Sequence, residues 1–181
     1  GNGLDLGSTK FTVEDLDRGD LPNGEVITNV SIKSVTGKNS STDADVGTYE
    51  DEIQILSTVT GTDGDGDGFL ESNYDISYVS GKLRIIPRNI SLKAEDQEKI
   101  YGVDWDLGST QFTVKDLDGD GGDLPNGEVI DTVSLVSANG VASSTTEGAG
   151  LYEGNISITK TSADNQTLTG SSSFNQKNYD I

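Results

Sequence analysis

An internal repeat constrains this chain more than any other feature of its sequence. The octapeptide DLPNGEVI occurs at residues 20–27 and again, unchanged, at 123–130. Flanking segments repeat in the same order, as LDLGSTKFTVEDLD at 4–17 and WDLGSTQFTVKDLD at 105–118, and as NYDI at 73–76 and 178–181. Self-similarity maintained in one order along both halves indicates a single structural unit used twice. We therefore predict two tandem units of the same kind.

One segment, residues 77–101, occurs only once and lies between the two copies. Pro87 breaks it, so we place the boundary there, with a first unit at 1–87 and a second at 88–181. The first unit then lacks a counterpart of the second half of this segment, and the second unit lacks a counterpart of its first half. A unit without one of its strands leaves an unpaired sheet edge. We predict that 77–101 is a β connector whose two halves pair with the two units.

The secondary structure predicted from the sequence is all-β or nearly so. Val, Ile, Thr and Tyr alternate with polar residues in short runs, which is typical of half-buried strands. Gly, Asn, Asp and Ser clusters separate the runs, and no stretch of ten or more residues shows a helical period. A single helical turn is expected near 14–24 and near 115–127. The predicted strands are 11–13, 26–32, 49–59, 74–79, 82–86 and 90–94.

Composition excludes several classes of function. The chain contains no His and no Cys, so it lacks the parts of a Ser–His or Cys–His nucleophile and of a His/Cys zinc site. Its net charge of −19 opposes binding to nucleic acid and to anionic membranes. Hydrophobic residues make up only 31%, which favours small units with thin cores. We expect a protein that is not an enzyme and that has no nucleic acid, membrane or small-molecule substrate as partner.

The acidic run DGDGDG at 63–68 is the strongest chemical signal. Alternate side chains of a tight Gly-containing turn converge, and Ca²⁺ takes 6–8 oxygen ligands. Three carboxylates within five residues repel one another unless a cation lies among them. We therefore predict a calcium site formed by Asp63, Asp65 and Asp67, with Glu71 completing the shell. The alternative is a solvated hairpin tip without a metal.

A second acidic run, DLDGDGGD, lies at 116–123, and its counterpart in the first copy is DLDRGD at 15–20. Arg18 replaces Gly119 there, and its guanidinium neutralises part of the first-copy cluster, so we expect the weaker site in that copy. The alternative is again a solvated acidic turn. The candidate calcium ligands of the two runs are Asp116, Asp118, Asp120 and Asp123 in the second copy and Asp15, Asp17 and Asp20 in the first.

Trp105 is the only tryptophan of the chain. Exposed aromatic residues stack on sugar rings in carbohydrate-binding modules, which is one interpretation. The repeat counterpart of Trp105 is Leu4, however, and a position that accepts either large apolar residue is typical of a core. We predict a core position.

The order of these motifs resembles the MBG (mother of β-grasp) repeats of large secreted bacterial proteins. The matching features are the KxYG run at Lys99, Tyr101 and Gly102, the Asn-Gly turns at 23–24 and 126–127, the GxY pairs at 47–49 and 150–152, and the two NYDI segments. The resemblance covers nearly the whole chain. The acidic DxDxDG loops depart from an average MBG repeat and resemble those of calcium-dependent RTX adhesins.

The resemblance implies two tandem β-grasp-like or β-sandwich-like lobes in an elongated arrangement. It also implies a structural extender of a secreted bacterial cell-surface adhesin, rigidified by Ca²⁺, which projects a ligand-binding tip. The expected location is extracellular, the expected partners are neighbouring repeats of the same chain, and the expected state is a monomer cut from a longer protein. A carbohydrate- or protein-binding module of a secreted surface protein is the alternative.

Overall fold

The computed structural model describes residues 4–14, 21–62, 69–119, 123–159, 168–171 and 174–181. Regular structure in these ranges consists of β-strands and single turns of 3-10 helix, and no α-helix occurs in them. The predicted all-β class is confirmed. The chain divides into two compact units, Gly1–Ile85 (unit 1) and Ile86–Ile181 (unit 2). This division falls inside the connector segment, just before Pro87.

Unit 1 contains one three-stranded antiparallel sheet in its described part. Strand β1 is Val26–Ser34, β2 is Gly47–Thr62 and β3 is Gly81–Ile85. The long β2 lies in the centre and pairs with both neighbours. Val30 of β1 and Leu83 of β3 are buried, among the residues of this sheet whose side chains the structure describes. The prediction of strands at 26–32, 49–59 and 82–86 is confirmed.

The described part of unit 2 contains seven strands: β4 Arg88–Ala94, β5 Phe112–Asp116, β6 Ile130–Thr132, β7 Leu135–Ser137, β8 Ile156–Ile158, β9 Thr169–Gly170 and β10 Tyr179–Asp180. They form three small sheets. In the first, β4 lies between β5, which is antiparallel to it, and β10, which is parallel to it. The other two sheets are the antiparallel pairs β6–β9 and β7–β8.

Short 3-10 turns occur at equivalent places in the two units. The expected helical turns are present as Pro22–Gly24 and Pro125–Gly127. Both contain an Asn in the left-handed region, with φ 59° at Asn23 and 60° at Asn126, a conformation that Asn adopts more readily than most residues. The identical PNG sequence therefore forms the same turn twice. The remaining 3-10 turns are Glu71–Asn73, Ala138–Gly140 and Gln176–Asn178.

The core of unit 2 forms around Ile90 of β4. Ile90 is buried together with the apolar side chains of several other strands and loops. Strand β4 alternates between buried or half-buried and exposed residues, which is the pattern expected of a strand with one face against a core. A thin core of this kind agrees with the low hydrophobic content. Its other fully buried members are Leu124, Ile130, Val133, Leu168 and Tyr179.

Two predicted strands of unit 1 are wrong. No strand forms at 11–13 or at 74–79. Their counterparts in unit 2 do form strands, as β5 and β10, and both pair with β4. Among the residues that the structure describes in unit 1, no strand takes the place of β4. The alternating sequence is the same in both copies, but no strand in the described part of unit 1 pairs with 11–13 or 74–79.

The connector segment contributes one strand to each unit. Its first half forms β3, which pairs with β2 of unit 1, and its second half forms β4, which pairs with β5 and β10 of unit 2. Only Ile86 and Pro87 separate β3 from β4. Consecutive strands of the chain therefore belong to different units.

Candidate functional site

The predicted calcium ligands fall into two groups. The first lies outside the described residues, so those predictions stay predictions: Asp15, Asp17, Asp20, Asp63, Asp65, Asp67 and Asp120. The second group lies inside them: Glu71, Asp116, Asp118 and Asp123. The structure shows what the carboxylates of Glu71, Asp116 and Asp118 contact.

Asp116, at the end of β5, is paired with Arg88, at the start of β4. The side chain of Asp116 is 1% exposed, whereas that of Arg88 is 30% exposed. Arg88 Nε donates hydrogen bonds to Asp116 Oδ1 at 2.9 Å and to Oδ2 at 2.8 Å, and Arg88 Nη2 also donates to Oδ2. Antiparallel pairing of β4 with β5 brings the two residues together, since Ile90 lies opposite Asp116.

The backbone after β5 adds further donors to the same carboxylate. The amides of Asp118 and Gly119 donate to Asp116 Oδ1 at 3.1 and 3.2 Å. The hydrogen bonds from Arg88 are the main cause that holds the pKa of Asp116 below its usual value, against the opposing effect of burial. The same hydrogen bonds raise the pKa of Arg88. Asp116 is therefore an ionised, fully hydrogen-bonded carboxylate that closes the end of a strand.

Asp118 is engaged in a second contact with the same strand. The backbone amide of Asn89 donates to Asp118 Oδ2 at 2.7 Å, and its side-chain amide lies 3.0 Å from both carboxylate oxygens. These bonds from Asn89 lower the pKa of Asp118. The Leu117 amide in turn donates to the carbonyl of Asn89 at 2.9 Å. Residues 116–118 are thus each hydrogen-bonded to β4.

This geometry leaves little room for a metal ion at the described carboxylates of 116–123. The oxygens of Asp116 face a guanidinium, so a calcium ion could use them only by displacing Arg88. Gly119 lies against the pair, because a Cβ there would be 2.5 Å from Asp116 Oδ2 and 2.6 Å from Arg88 Nη2. Asp123 is exposed. Among the described residues, no group of three or more acidic side chains is arranged to hold a metal ion.

Glu71 lies in the 3-10 turn Glu71–Asn73 and accepts a hydrogen bond from Tyr78. The Tyr78 hydroxyl is 2.9 Å from Glu71 Oε1. Burial, and then this contact with a carboxylate, raise the pKa of Tyr78. The neighbouring loop at 63–68 lies outside the described residues, so the predicted role of Glu71 in completing a calcium shell stays a prediction.

Glu52 is the most buried acidic residue in the described part of unit 1, and it was not singled out from the sequence. Its carboxylate accepts hydrogen bonds from the Ser34 hydroxyl and from the amide and hydroxyl of Thr36, the latter at 3.1 and 2.9 Å. The bond from Ser34 is the largest cause that lowers the pKa of Glu52. In unit 2 the repeat counterpart is Asn155, whose amide nitrogen donates to the Ala138 carbonyl at 3.0 Å. The charged Glu52 and the neutral Asn155 thus make hydrogen bonds to equivalent turns of the two units.

Lys99, part of the KxYG run, binds backbone carbonyls. Its Nζ donates to the carbonyl of Val141 at 2.7 Å, to that of Ala142 at 3.0 Å and to that of Ser144. Three carbonyls converging on one ammonium fix the loop that follows the 3-10 turn Ala138–Gly140. The sequence flagged Lys99 only as a family motif, and its 42-residue separation from Val141 hid the partner.

Trp105 is not a core residue, contrary to the prediction. It is 42% exposed, and its counterpart Leu4 is 51% exposed. The indole nitrogen donates to Gln97 Oε1 at 2.9 Å, and Gln97 in turn donates to the carbonyl of Leu107 at 3.2 Å. Trp105 lines a shallow open depression of about 400 Å³ together with Asp96, Glu98 and Asp106. The large apolar side chain at this position is therefore partly exposed in both units.

Comparisons with known proteins give no relative. No family model, no curated protein and no solved structure matches the chain. The resemblance to MBG repeats therefore stays a prediction that rests on the motifs. In the part of the chain that the structure describes, no helix has the length and apolar character needed to cross a bilayer.

Proposed function

We propose that this chain is a structural spacer built from tandem β repeats, an extender segment of a secreted bacterial cell-surface adhesin. In this role it contributes length and stiffness and holds a ligand-binding part of its parent protein away from the cell. Neighbouring repeats of the same chain are its partners. The proposal includes Ca²⁺ as the ion that rigidifies the acidic loops.

The observation that carries the proposal is the pair of consecutive strands β3 and β4. They are separated by only Ile86 and Pro87, and each pairs with a different unit. A chain that passes from one unit to the next without a linker of its own is typical of tandem repeats, whose stability is the sum of unit and neighbour contributions. This connectivity supports a role in which units are added in series.

The buried charged groups of the described residues also support a structural role. Asp116 and Glu52 are the buried carboxylates, and their hydrogen bonds run to Arg88 and to the turn of Ser34 and Thr36. All of these contacts hold strand ends or turns. Groups that carry out chemistry need to face a site that a substrate can reach, which neither carboxylate does.

Calcium enters the proposal through the loop at 63–68 and the net charge. Three alternating Asp residues in DGDGDG match oxygen coordination of Ca²⁺. A net charge of −19 destabilises a compact chain through self-repulsion, and bound divalent cations reduce it. An ion that binds the folded chain alone also stabilises it by mass action. Asp63, Asp65 and Asp67 are therefore the residues to test first.

Thermal unfolding with calcium and with EDTA tests this proposal. We expect the melting temperature to rise in about 5 mM CaCl₂, a concentration above the roughly 10⁻⁴–10⁻³ M affinities of extracellular calcium modules. The triple variant Asp63→Asn, Asp65→Asn, Asp67→Asn should lose most of this rise. A matched control is Asp116→Asn, which should keep it because Asp116 is held by Arg88. Equal melting temperatures of the wild-type chain in calcium and in EDTA would contradict the calcium part of the proposal.

A carbohydrate-binding module is the second candidate, and the exposure of Trp105 favours it. An exposed indole beside a depression with acidic groups can stack on a sugar ring while the carboxylates accept hydrogen bonds from its hydroxyls. A glycan array tests this candidate. Binding that is lost in Trp105→Ala would establish it, and an array without binding would remove it.

A further inference from the structure

Strand β4 fills the centre of its sheet in unit 2. Its antiparallel partner is β5, with Leu92 opposite Val114, and its parallel partner is β10, with Arg88 opposite Tyr179. Ile90 projects from β4 into the core. The repeat counterparts of β5 and β10 in unit 1 are 11–15 and 74–75, of which the structure describes 11–14 and 74–75. We call these described residues the strand slot.

Two contacts next to the strand slot are the same as in unit 2. The Val30 amide donates to the Ser8 carbonyl at 3.0 Å, just as the Val133 amide donates to that of Ser109 at 2.9 Å. On the other side, a Phe stacks on the Tyr of NYDI in both units, with ring centroids 5.1 Å apart in unit 1 and 5.5 Å apart in unit 2. The contacts next to the strand slot are therefore the same in the two units.

The side chains that would contact a central strand are more exposed in unit 1. Val13 is 45% exposed, whereas its counterpart Val114 packs against the core of unit 2. Tyr74 is half-buried, whereas Tyr179 is only 8% exposed. The same holds for two further pairs, in which the unit 1 residue is half-buried and the unit 2 residue is buried: Leu21 and Leu124, and Ile27 and Ile130.

We propose that unit 1 binds an additional β-strand in the strand slot, and that a neighbouring repeat supplies a strand with the chemistry of residues 88–101. Strand addition of this kind gains backbone hydrogen bonds on both sides and places alternate side chains in the core. The proposed function is the basis for naming the neighbouring repeat as the source. The strand slot itself rests on the comparison of the two units.

The incoming segment also brings a lysine. In unit 2, Lys99 follows β4 and binds the carbonyls of the loop after Gly140. Unit 1 has the same loop, because the Ser41 amide donates to the Gly37 carbonyl at 3.1 Å and the Ser144 amide donates to that of Gly140 at 3.0 Å. A lysine at the position of Lys99 therefore finds the equivalent loop carbonyls.

The incoming strand differs from β4 at its first residue. Unit 2 needs Gly119 beside the Arg88–Asp116 pair, since a Cβ there would approach both side chains to within 2.6 Å. The first copy has Arg18 at this position. An arginine aligned with Arg88 would place a second positive charge where the sequence of the first copy already has one. The strand that fits unit 1 carries a small residue where β4 carries Arg88.

The test is a chain extended at its start by a copy of residues 86–101. Gly1 is the counterpart of Gly102 in the repeat, so this copy joins in register. In the extended chain, the copy carries Ser at the position of Arg88. Amide hydrogen exchange should become about tenfold slower or more at 11–14 and 74–75, because backbone amides in a strand are protected. The melting temperature of unit 1 should also rise.

The control is the same extension with Asp at the positions of Ile90 and Leu92, which should give neither effect. A second comparison uses an extension that carries Arg at the position of Arg88. With Arg18 in the chain, amide protection at 11–14 and 74–75 should be lower than with the Ser-containing extension. In the variant Arg18→Gly, the Arg-containing extension should restore that protection. Unchanged exchange at both edges with the Ser-containing extension would overturn the proposal. That result is independent of the calcium experiment, so failure of the strand slot and failure of the proposed function are distinguishable.

Discussion

Arg88 and Asp116 are 28 positions apart in the sequence, and the guanidinium of Arg88 donates to both carboxylate oxygens of Asp116. The pair joins the first residue of β4 to the last residue of β5. It is asymmetric, because the Asp116 side chain is 1% exposed and that of Arg88 is 30% exposed. Removal of Arg88 therefore leaves a buried carboxylate, whereas removal of the charge of Asp116 leaves a partly exposed guanidinium.

Removal of Arg88 should destabilise unit 2 more than removal of the charge of Asp116. Arg88→Gln leaves a buried carboxylate without its cation, and we expect a loss of about 2–3 kcal/mol, below the roughly 3–5 kcal/mol of a fully buried pair because Arg88 is partly solvated. Asp116→Asn leaves a cation that water can reach, so its loss should be smaller. Urea unfolding of both variants measures this order, and a larger loss for Asp116→Asn would contradict it.

The contribution of Asp116 to stability should disappear in acid. Arg88 holds the pKa of Asp116 below its usual value, so the stabilisation is present above the ordinary Asp pKa of about 3.9 and is lost as the pH falls through the lowered value. The difference in unfolding free energy between the wild-type chain and Asp116→Asn should be constant from about pH 7 to pH 5 and shrink below about pH 4. Urea unfolding at several pH values measures it. A difference that stays constant to about pH 2 would be evidence against the pairing.

Lys99 should stabilise the loop at 141–144. Lys99→Met keeps the apolar stem and removes the ammonium. The three loop carbonyls that accept hydrogen bonds from Lys99 then lose that donor. Hydrogen bonds to charged groups contribute about 1.5–3 kcal/mol each, so a total loss of about 2–3 kcal/mol is expected after water replaces some of them. Amide exchange near Val141 should accelerate. Lys93→Met, which changes an exposed residue of β4, serves as the control.

Gly61 and Gly170 lie at equivalent close approaches of the backbone, and a side chain at either position should destabilise its unit. A Cβ at Gly61 would lie 2.4 Å from the carbonyl oxygen of Val26, and one at Gly170 would lie 2.3 Å from that of Val129. Gly61→Ala and Gly170→Ala should each cost about 1–3 kcal/mol, the range of overpacking substitutions. Gly148→Ala is the matched control, because a Cβ there meets nothing within 4 Å. Thermal unfolding that ranks all three alike would contradict the close approach.

Strand alternation predicted the elements whose partners lie in the same unit. Strands β1, β2, β3 and β4 were located from the alternation of their residues, since each has a partner within the described chain. The same pattern failed at 11–13 and 74–79, because alternation records which face of a strand is apolar and says nothing about whether a neighbouring strand is present. Only the comparison of two copies in one structure shows that difference.

The charged sites show the same limit. Asp116 and Asp118 were picked out by their spacing, but their partners Arg88 and Asn89 lie on a strand about thirty positions earlier, and strand register alone brings them together. Glu52 gave no signal within its own strand, because a Glu in an alternating strand is normally solvent-facing. The repeat gave a weak one: its counterpart Asn155 is also polar, and both side chains accept a hydrogen bond from a Ser.

Small-angle X-ray scattering of the chain in about 5 mM CaCl₂ and in EDTA tests the central claim, that this is a calcium-rigidified spacer, most directly. A rigid spacer predicts a monomer with a large maximum dimension in calcium, and a broader, more flexible distance distribution in EDTA. The triple variant Asp63→Asn, Asp65→Asn, Asp67→Asn should resemble the EDTA state even in calcium. Identical scattering curves for the wild-type chain with and without calcium, or a compact particle in both, would contradict the claim.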